Sequence, residues 1–251
     1  MPGEEKNTGS EGFLSGGKLL HEAIILAGGL GTRLRSVVSN LPKCMAPVAG
    51  KPFLHYIIAY LQKQGVDKFI FSLGYKHELI VDYISKQYPL LLVQYSIEKE
   101  PLGTGGAIKT ACEKATEKNV LILNGDTLFS IDINKLAAFH IQHAAHCTLS
   151  LKPMRQFDRY GVVELNKDQS IASFKEKQFY ETGLINGGVY ALQTKKFLEE
   201  PLPEKFSFEK DYLEDYVGQR KMYGLVQDEY FIDIGIPEDY ERAKNELRIK
   251  N

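Results

Sequence analysis

The apolar run Ala23-Ile24-Ile25 breaks into Leu26-Ala27-Gly28-Gly29-Leu30-Gly31-Thr32-Arg33-Leu34. An apolar run that ends in glycines predicts a buried strand delivering a turn. The backbone at Gly28, Gly29 and Gly31 can bend freely and approach a ligand closely, so its N–H groups can face phosphate oxygens. Arg33 adds a delocalised charge with forked donors, which suits phosphate. Leu26, Ala27, Gly28, Gly29, Gly31, Thr32 and Arg33 together make a candidate seat for a triphosphate-sized anion at the carboxyl end of the first strand. The dinucleotide fingerprint G-x-G-x-x-G is incomplete, because Leu34 stands where its third glycine belongs, and the P-loop pattern is absent.

A lysine follows in Leu41-Pro42-Lys43-Cys44-Met45-Ala46-Pro47. The two prolines fix an extended, rigid segment that aims Lys43, and beside the first loop a second phosphate contact is expected of it. A second glycine-rich turn, Glu98-Lys99-Glu100-Pro101-Leu102-Gly103-Thr104-Gly105-Gly106-Ala107, leads into a helix. Close backbone approach is expected there too, with main-chain groups able to read the edge of a purine or pyrimidine. A simple helix-capping loop is the alternative.

Asn124-Gly125-Asp126-Thr127 comes directly after the apolar strand Val120-Leu121-Ile122-Leu123. A carboxylate at the end of a core strand faces the cleft where open α/β sheets bind ligands. Phe231-Ile232-Asp233-Ile234-Gly235 repeats that arrangement. Mg²⁺ takes one or two carboxylates and fills its remaining positions with water and phosphate oxygens. Asp126 and Asp233 could share one such ion, although capping a turn is the commoner use of aspartate. Glu176-Lys177 and Asn186-Gly187-Gly188 supply a carboxylate, a cation and an amide, which together could hold a sugar phosphate.

The elements that must position these groups alternate. Helical spacing runs from Pro52 to Gln64, over residues 76–87, 104–117 and 132–145. Strands are expected at 68–73, 91–97, 120–123 and 147–151. Such alternation predicts an α/β fold: a Rossmann-like mixed, mostly parallel sheet with helices on both faces. Shorter strands at 160–165, 171–175 and 184–192 then extend the sheet, followed by helical patterns at 208–217 and 237–249. No linker or repeat divides the chain. Residues 1–20 read as a polar extension, and 21–251 as one domain with a nucleotide-binding half (about 21–150) and a second half (about 151–251).

Composition narrows the possibilities. In 251 residues, 31 basic and 32 acidic side chains give a net charge of −1, which argues against a general nucleic-acid binder. No apolar run is long enough to span a bilayer and the first residues lack a signal-peptide core, so no membrane partner is expected. Cys44, Cys112 and Cys147 are widely spaced, which excludes a disulfide framework or a zinc site and points to a reducing, cytoplasmic setting. His140, His143 and His146 recur near a helix end, where surface exposure explains them better than metal binding.

Taken together, LAGGLGTRL, Pro42-Lys43, LGTGGA, NGDT, Glu176-Lys177, NGGVY and the closing DIG resemble the sugar-phosphate nucleotidyltransferases, or NDP-sugar pyrophosphorylases, from about residue 22 to 245. The segments SIEKEPLG (96–103), FDRYG (157–161), LINGG (184–188) and EKFSFE (204–209) resemble the branch that guanylylates a manno-configured heptose 1-phosphate. The resemblance implies that an NTP, GTP in this branch, reacts with a sugar 1-phosphate to give an NDP-sugar and pyrophosphate.

It also implies roles. The glycine loop and Arg33 hold the triphosphate, and Lys43 contacts the reacting phosphates. Glu98 and Gly103 border the base. Asp126 and Asp233 bind Mg²⁺. Gly161, Glu176 and Asn186 meet the sugar, and Lys177 meets its phosphate. Two departures from the family pattern are Cys44 and Gln178, each where a proline is usual. A thymidylyl-, uridylyl- or guanylyltransferase for a hexose 1-phosphate, a silent nucleotide-sugar sensor and a dinucleotide-dependent oxidoreductase are the competing readings. The sequence leaves the oligomeric state open.

Overall fold

The first strand, β1 (Glu22–Ala27), is buried along its length and lies at the centre of the sheet. The computed structural model describes residues 20–29, 34, 38 and 40–249. After a short 3₁₀ turn at Lys43–Met45 come the two-residue strands β2 (Pro47–Val48) and β3 (Lys51–Pro52). Then follow α1 (Phe53–Lys63), β4 (Lys68–Leu73), α2 (His77–Gln87), β5 (Leu92–Ile97), α3 (Gly103–Cys112), β6 (Asn119–Asn124), β7 (Thr127–Phe129) and α4 (Ile133–Gln142). The second half holds β8 (Cys147–Phe157), β9 (Val162–Leu165), β10 (Ile171–Lys175), β11 (Tyr180–Gln193) and α5 (Thr194–Leu198). It ends with a π-helix (Phe208–Glu214), β12 (Met222–Val226), β13 (Phe231–Asp233) and α6 (Pro237–Ile249).

The main sheet runs β10-β9-β11-β6-β1-β4-β5, with β8 paired to β11 and β12 paired to β8. Its first half, β6-β1-β4-β5, is wholly parallel. β11 then pairs antiparallel with β6, so the second half continues the same sheet as a mixed one. The order contains a reversal. From β1 the chain moves outward to β4 and β5, then returns to place β6 on the other side of β1. A crevice opens at such a switch point, outside the carboxyl ends of the strands.

Alternation along the strands builds two cores. Ala23, Ile25, Phe69, Phe71, Leu121 and Leu123 face one cluster, with α1, α2, α4 and α6. Ile24, Ile70, Val120 and Ile122 face the other, with α3, α5 and the π-helix. A parallel sheet covered on both sides needs apolar residues on both faces, which is why these strands read as continuous apolar runs. No helix among the described residues is long and apolar enough to cross a membrane.

Several expected bounds move. The helix expected over 104–117 ends at Cys112 because the side chain of Glu22 captures the N–H groups of Thr116 (2.8 Å) and Glu117 (2.9 Å) in a turn. The strand expected at 147–151 continues to Phe157, paired with an equally extended β11. The pattern over 208–217 is a π-helix followed by a helical end. His140 corrects an expectation more directly. It is buried, with Nδ1 2.9 Å from the Thr148 hydroxyl and Nε2 3.3 Å from Asn119 Oδ1, so it pins β8 to β6 rather than decorating a surface.

Candidate nucleotide and sugar-phosphate site

A cavity of about 800 Å³ opens at the switch point. Its floor comes from strand ends: Leu26, Ala27 and Gly28 after β1, Ser72 and Gly74 after β4, and Asn124, Gly125 and Asp126 after β6. The register explains the convergence, since Leu26 pairs with Ser72 on one side and with Asn124 on the other. Gly125 donates to the Leu26 carbonyl at 2.8 Å, which fixes the Asp126 turn against the end of β1. Of the first-loop candidates, Leu26, Ala27, Gly28 and Gly29 line this cavity. Gly31, Thr32 and Arg33 lie outside the described residues.

Lys43 donates to Asp126 Oδ2 at 2.9 Å. The lysine's segment is a short 3₁₀ turn between Pro42 and Ala46, both extended, rather than a straight run. Cys44 is buried beneath it, where burial and the nearby Asp126 push its thiol pKa up to about 12. A thiol so far from ionisation is a packing group.

Asp233 reaches the same place from β13. β13 pairs with β7 so that Asp233 opposes Thr127, and the N–H of Ile234 donates to the Asp126 carbonyl at 2.9 Å. Burial raises the Asp233 pKa, and repulsion from Asp126 raises it further, against the Gly235 N–H, Lys43 and the Tyr160 hydroxyl. Asp233 Oδ1 accepts from Gly235 N at 2.7 Å and Oδ2 accepts from Tyr160 at 3.2 Å, with Arg159 Nη2 3.9 Å away. Arg159 in turn donates to Asp239. Asp126 lines the cavity and Asp233, outside its lining, is close enough to repel it; two such hard carboxylates fit an oxygen-seeking divalent cation. No group of three or more His, Cys, Asp or Glu side chains capable of holding a metal occurs among the described residues.

The opposite wall is the turn 98–103. Glu98 is half-buried and burial raises its carboxyl pKa, while the Leu102 N–H, donating to Oε2 at 3.0 Å, opposes the rise. A Cβ at Gly28 would fall 2.9 Å from Glu98 Oε1, so the first loop and this carboxylate touch only because residue 28 lacks one. Gly103 lines the cavity as expected, but the glycines of its turn serve a different neighbour. Gly103 has φ +74°, and a Cβ there would fall 2.5 Å from the carbonyl oxygen of Phe206. Gly105 and Gly106 are covered by the Phe206 ring and the Glu204 carbonyl. At these three glycines the space a Cβ would take is filled by Phe206 and Glu204.

The sugar-side candidates do not line this cavity. Asn186 spends its amide locally, donating to the Tyr190 hydroxyl (2.9 Å) and accepting from Gly188 N (3.1 Å). Gly188 lies directly on Asn124, however, which joins that bend to the cavity floor. Gly161 packs on the carbonyl of Lys175, and Glu176 and Lys177 are exposed in the turn after β10. Gln178 stitches that turn. It donates to the Tyr180 hydroxyl at 3.2 Å, and Tyr180 donates to the Glu176 carbonyl at 3.0 Å. The turn is thus bonded where a proline would otherwise stiffen it.

Sequence reasoning missed Ser72, Gly74 and Tyr75 as lining residues, and it gave Thr104 and Glu209 no role beyond the motifs that contain them. Ser72 carried a signal, a hydroxyl at the end of the apolar strand Phe69-Ile70-Phe71. Glu209 stood in the segment EKFSFE that marked the resemblance, but nothing in the chain places it beside a turn 105 residues earlier.

Residues 22–249 match the profile of the family described as nucleotidyl transferase. The chain is 57% identical over 227 residues to the D-glycero-α-D-manno-heptose 1-phosphate guanylyltransferase of Aneurinibacillus thermoaerophilus, covering 90% of this chain and 98% of that one. It is 48% identical over 219 residues to the enzyme of the same name from Campylobacter jejuni, covering 87% of this chain and 96% of that one. The crystal structure of HddC from Yersinia pseudotuberculosis complexed with GMP-PN superposes with a TM-score of 0.81 at 40% identity, covering 91% of this chain and all of that one.

Proposed function

The chain belongs to the nucleotidyl transferase family, and from that premise we propose that it transfers the guanylyl group of GTP to D-glycero-D-manno-heptose 1-phosphate. A phosphate oxygen of the acceptor attacks the α-phosphorus of GTP. A new P–O bond forms, the α–β bridging bond breaks, and pyrophosphate departs. The GDP-heptose so made is a donor for surface glycan assembly. Three buried, unpaired thiols suit the reducing cytoplasm as its setting.

A phosphate oxygen is already a nucleophile, so the protein's task is to position two anions and offset their charge. Lys43, held 2.9 Å from Asp126, stands where the reacting phosphates meet. Arg33 supplies a second, forked cation on the triphosphate side. Asp126 and Asp233 would hold Mg²⁺, which supplies charge neutralisation on phosphate oxygens. The acceptor's sugar meets Gly161, Glu176 and Asn186, and its phosphate meets Lys177. One domain carries both halves of the site on a continuous sheet.

The observation that carries the guanine reading is Glu98, a half-buried carboxylate in the cavity wall. Guanine offers N1–H and a 2-amino group on one edge, two donors for a carboxylate. Uracil and thymine offer one N–H there. The test is pyrophosphate release over four NTPs, each with heptose, mannose and glucose 1-phosphates. Turnover confined to GTP and the heptose supports the proposal. Preference for UTP or dTTP with glucose 1-phosphate overturns its specificity and leaves the chemistry intact.

A further inference from the structure

The segment 204–209 belongs to the second half of the chain, yet it seals the base side of the cavity. Its contacts with the turn 98–106 form a ladder. Phe206 N donates to the Leu102 carbonyl at 3.0 Å, and Gly105 N returns a bond to the Phe206 carbonyl at 3.0 Å. Phe208 N donates to the Thr104 hydroxyl at 2.9 Å, and that hydroxyl donates to Glu209 Oε2 at 2.6 Å. Ser207 adds a donor to the same carboxylate oxygen at 3.1 Å.

Thr104 is thus the rung where the two halves exchange a backbone bond and a charge-assisted one. The Leu102 peptide is gripped at both ends, its carbonyl by Phe206 and its N–H by Glu98. The line of bonds therefore reaches the carboxylate that faces the base.

Two further observations separate this from ordinary packing. Both Thr104 and Glu209 line the cavity itself. Glu209 also lies in the first turn of a π-helix, Phe208–Glu214, which begins where the ladder ends. Seven residues of π-helix are unusual, and such geometry often re-aims a side chain at a functional site. Here it turns Glu209 toward Thr104 while Phe208 and Tyr212 fill the core behind it.

We infer that Thr104 and Glu209 are positioning residues for the nucleotide: they latch the segment 204–209 onto the turn 98–106 and so fix Glu98 for the base. The inference rests on the nucleotidyl-transfer reading above. Thr104→Val keeps the shape of the side chain and removes its hydroxyl. Glu209→Ala removes the acceptor.

Both variants should raise the KM for GTP about tenfold, with a smaller fall in kcat at saturation and little change in the melting midpoint. The double variant should cost clearly less than the two single losses combined, because both remove the Thr104–Glu209 bond, although each also loses a bond of its own, from Phe208 N to Thr104 and from Ser207 to Glu209. Thr104→Ser restores the hydroxyl and should recover most of the lost affinity. An unchanged KM in both variants would overturn the latch, as would a fully additive double variant. If the wild-type protein turns over no NTP, the functional reading fails by itself. Hydrogen–deuterium exchange of residues 98–106 then decides the latch. Faster exchange in Thr104→Val supports it, and equal protection refutes it.

Discussion

The two sides of the site are built differently. The proposed nucleotide side is a wall of strand ends and turns bonded to neighbours far away in sequence: Gly125 to Leu26, Glu98 to Leu73, Thr104 to Glu209. The acceptor side is a set of turns on long strands, with Glu176 and Lys177 exposed and Asn186 occupied by Tyr190 and Gly188. The first is shaped before any ligand arrives. On the proposed reading, the second presents groups that a sugar phosphate would have to gather. Binding to a preformed wall costs little ordering, whereas the gathered side gives up conformational freedom for each contact it makes.

The largest effect should come at the seam between the sides. Asp126→Asn or Asp233→Asn removes a charge at almost constant volume and should lower kcat about a hundredfold or more, with the melting midpoint little changed. Titrating Mg²⁺ in a pyrophosphate-release assay checks this. Near-normal turnover at limiting Mg²⁺ would remove that aspartate from the metal site and weaken the picture of a shared seam.

The sheet that joins the two sides can be loosened by acid. Burial, aided by Lys196 and His146, lowers the His140 pKa to about 4, and His140 bonds Thr148 of β8 and Asn119 of β6. A depressed histidine pKa means that the unfolded chain binds the proton more readily. His140 therefore contributes fully above its ordinary pKa of about 6.5 and loses that contribution as pH falls toward about 4. The loss amounts to roughly 3 kcal/mol. Denaturant unfolding between pH 7 and 4 should show the slope, and His140→Gln should flatten it. The same slope in the variant would place the acid sensitivity elsewhere.

A smaller and more local effect is expected on the acceptor side. Lys177→Ala should raise the KM for the sugar 1-phosphate about tenfold while leaving the KM for GTP nearly unchanged. Equal changes in both constants would mean that the two sides are not separable as described.

The same contrast explains what the sequence revealed. The strands of the parallel half were legible because burial on both faces leaves unbroken apolar runs, and the residues ending them, Gly28, Asp126 and Glu98, were legible as interruptions of those runs. β12 carried no such mark, being a short strand (Met222–Val226) placed only by pairing with β8. The glycines at 103, 105 and 106 were read as a close backbone approach or a capping loop, and the close neighbours the structure shows there are Phe206 and Glu204. A glycine announces close approach without saying what approaches. Glu209 stood in the segment EKFSFE, but its pairing with Thr104 needed the tertiary ladder to be seen, and His140 looked exposed because its two partners lie on different strands.

The central claim is that the preformed wall reads guanine through Glu98. Its most direct test is the ratio of kcat/KM for GTP to that for UTP, with the heptose 1-phosphate saturating, in the wild-type protein and in Glu98→Gln. A buried carboxylate left with one unpaired oxygen disfavours the wrong base by about 1 to 3 kcal/mol, so the wild-type ratio should exceed about tenfold in favour of GTP. The variant should bring it close to unity. A wild-type preference for UTP, or a ratio unchanged by the substitution, would contradict the account.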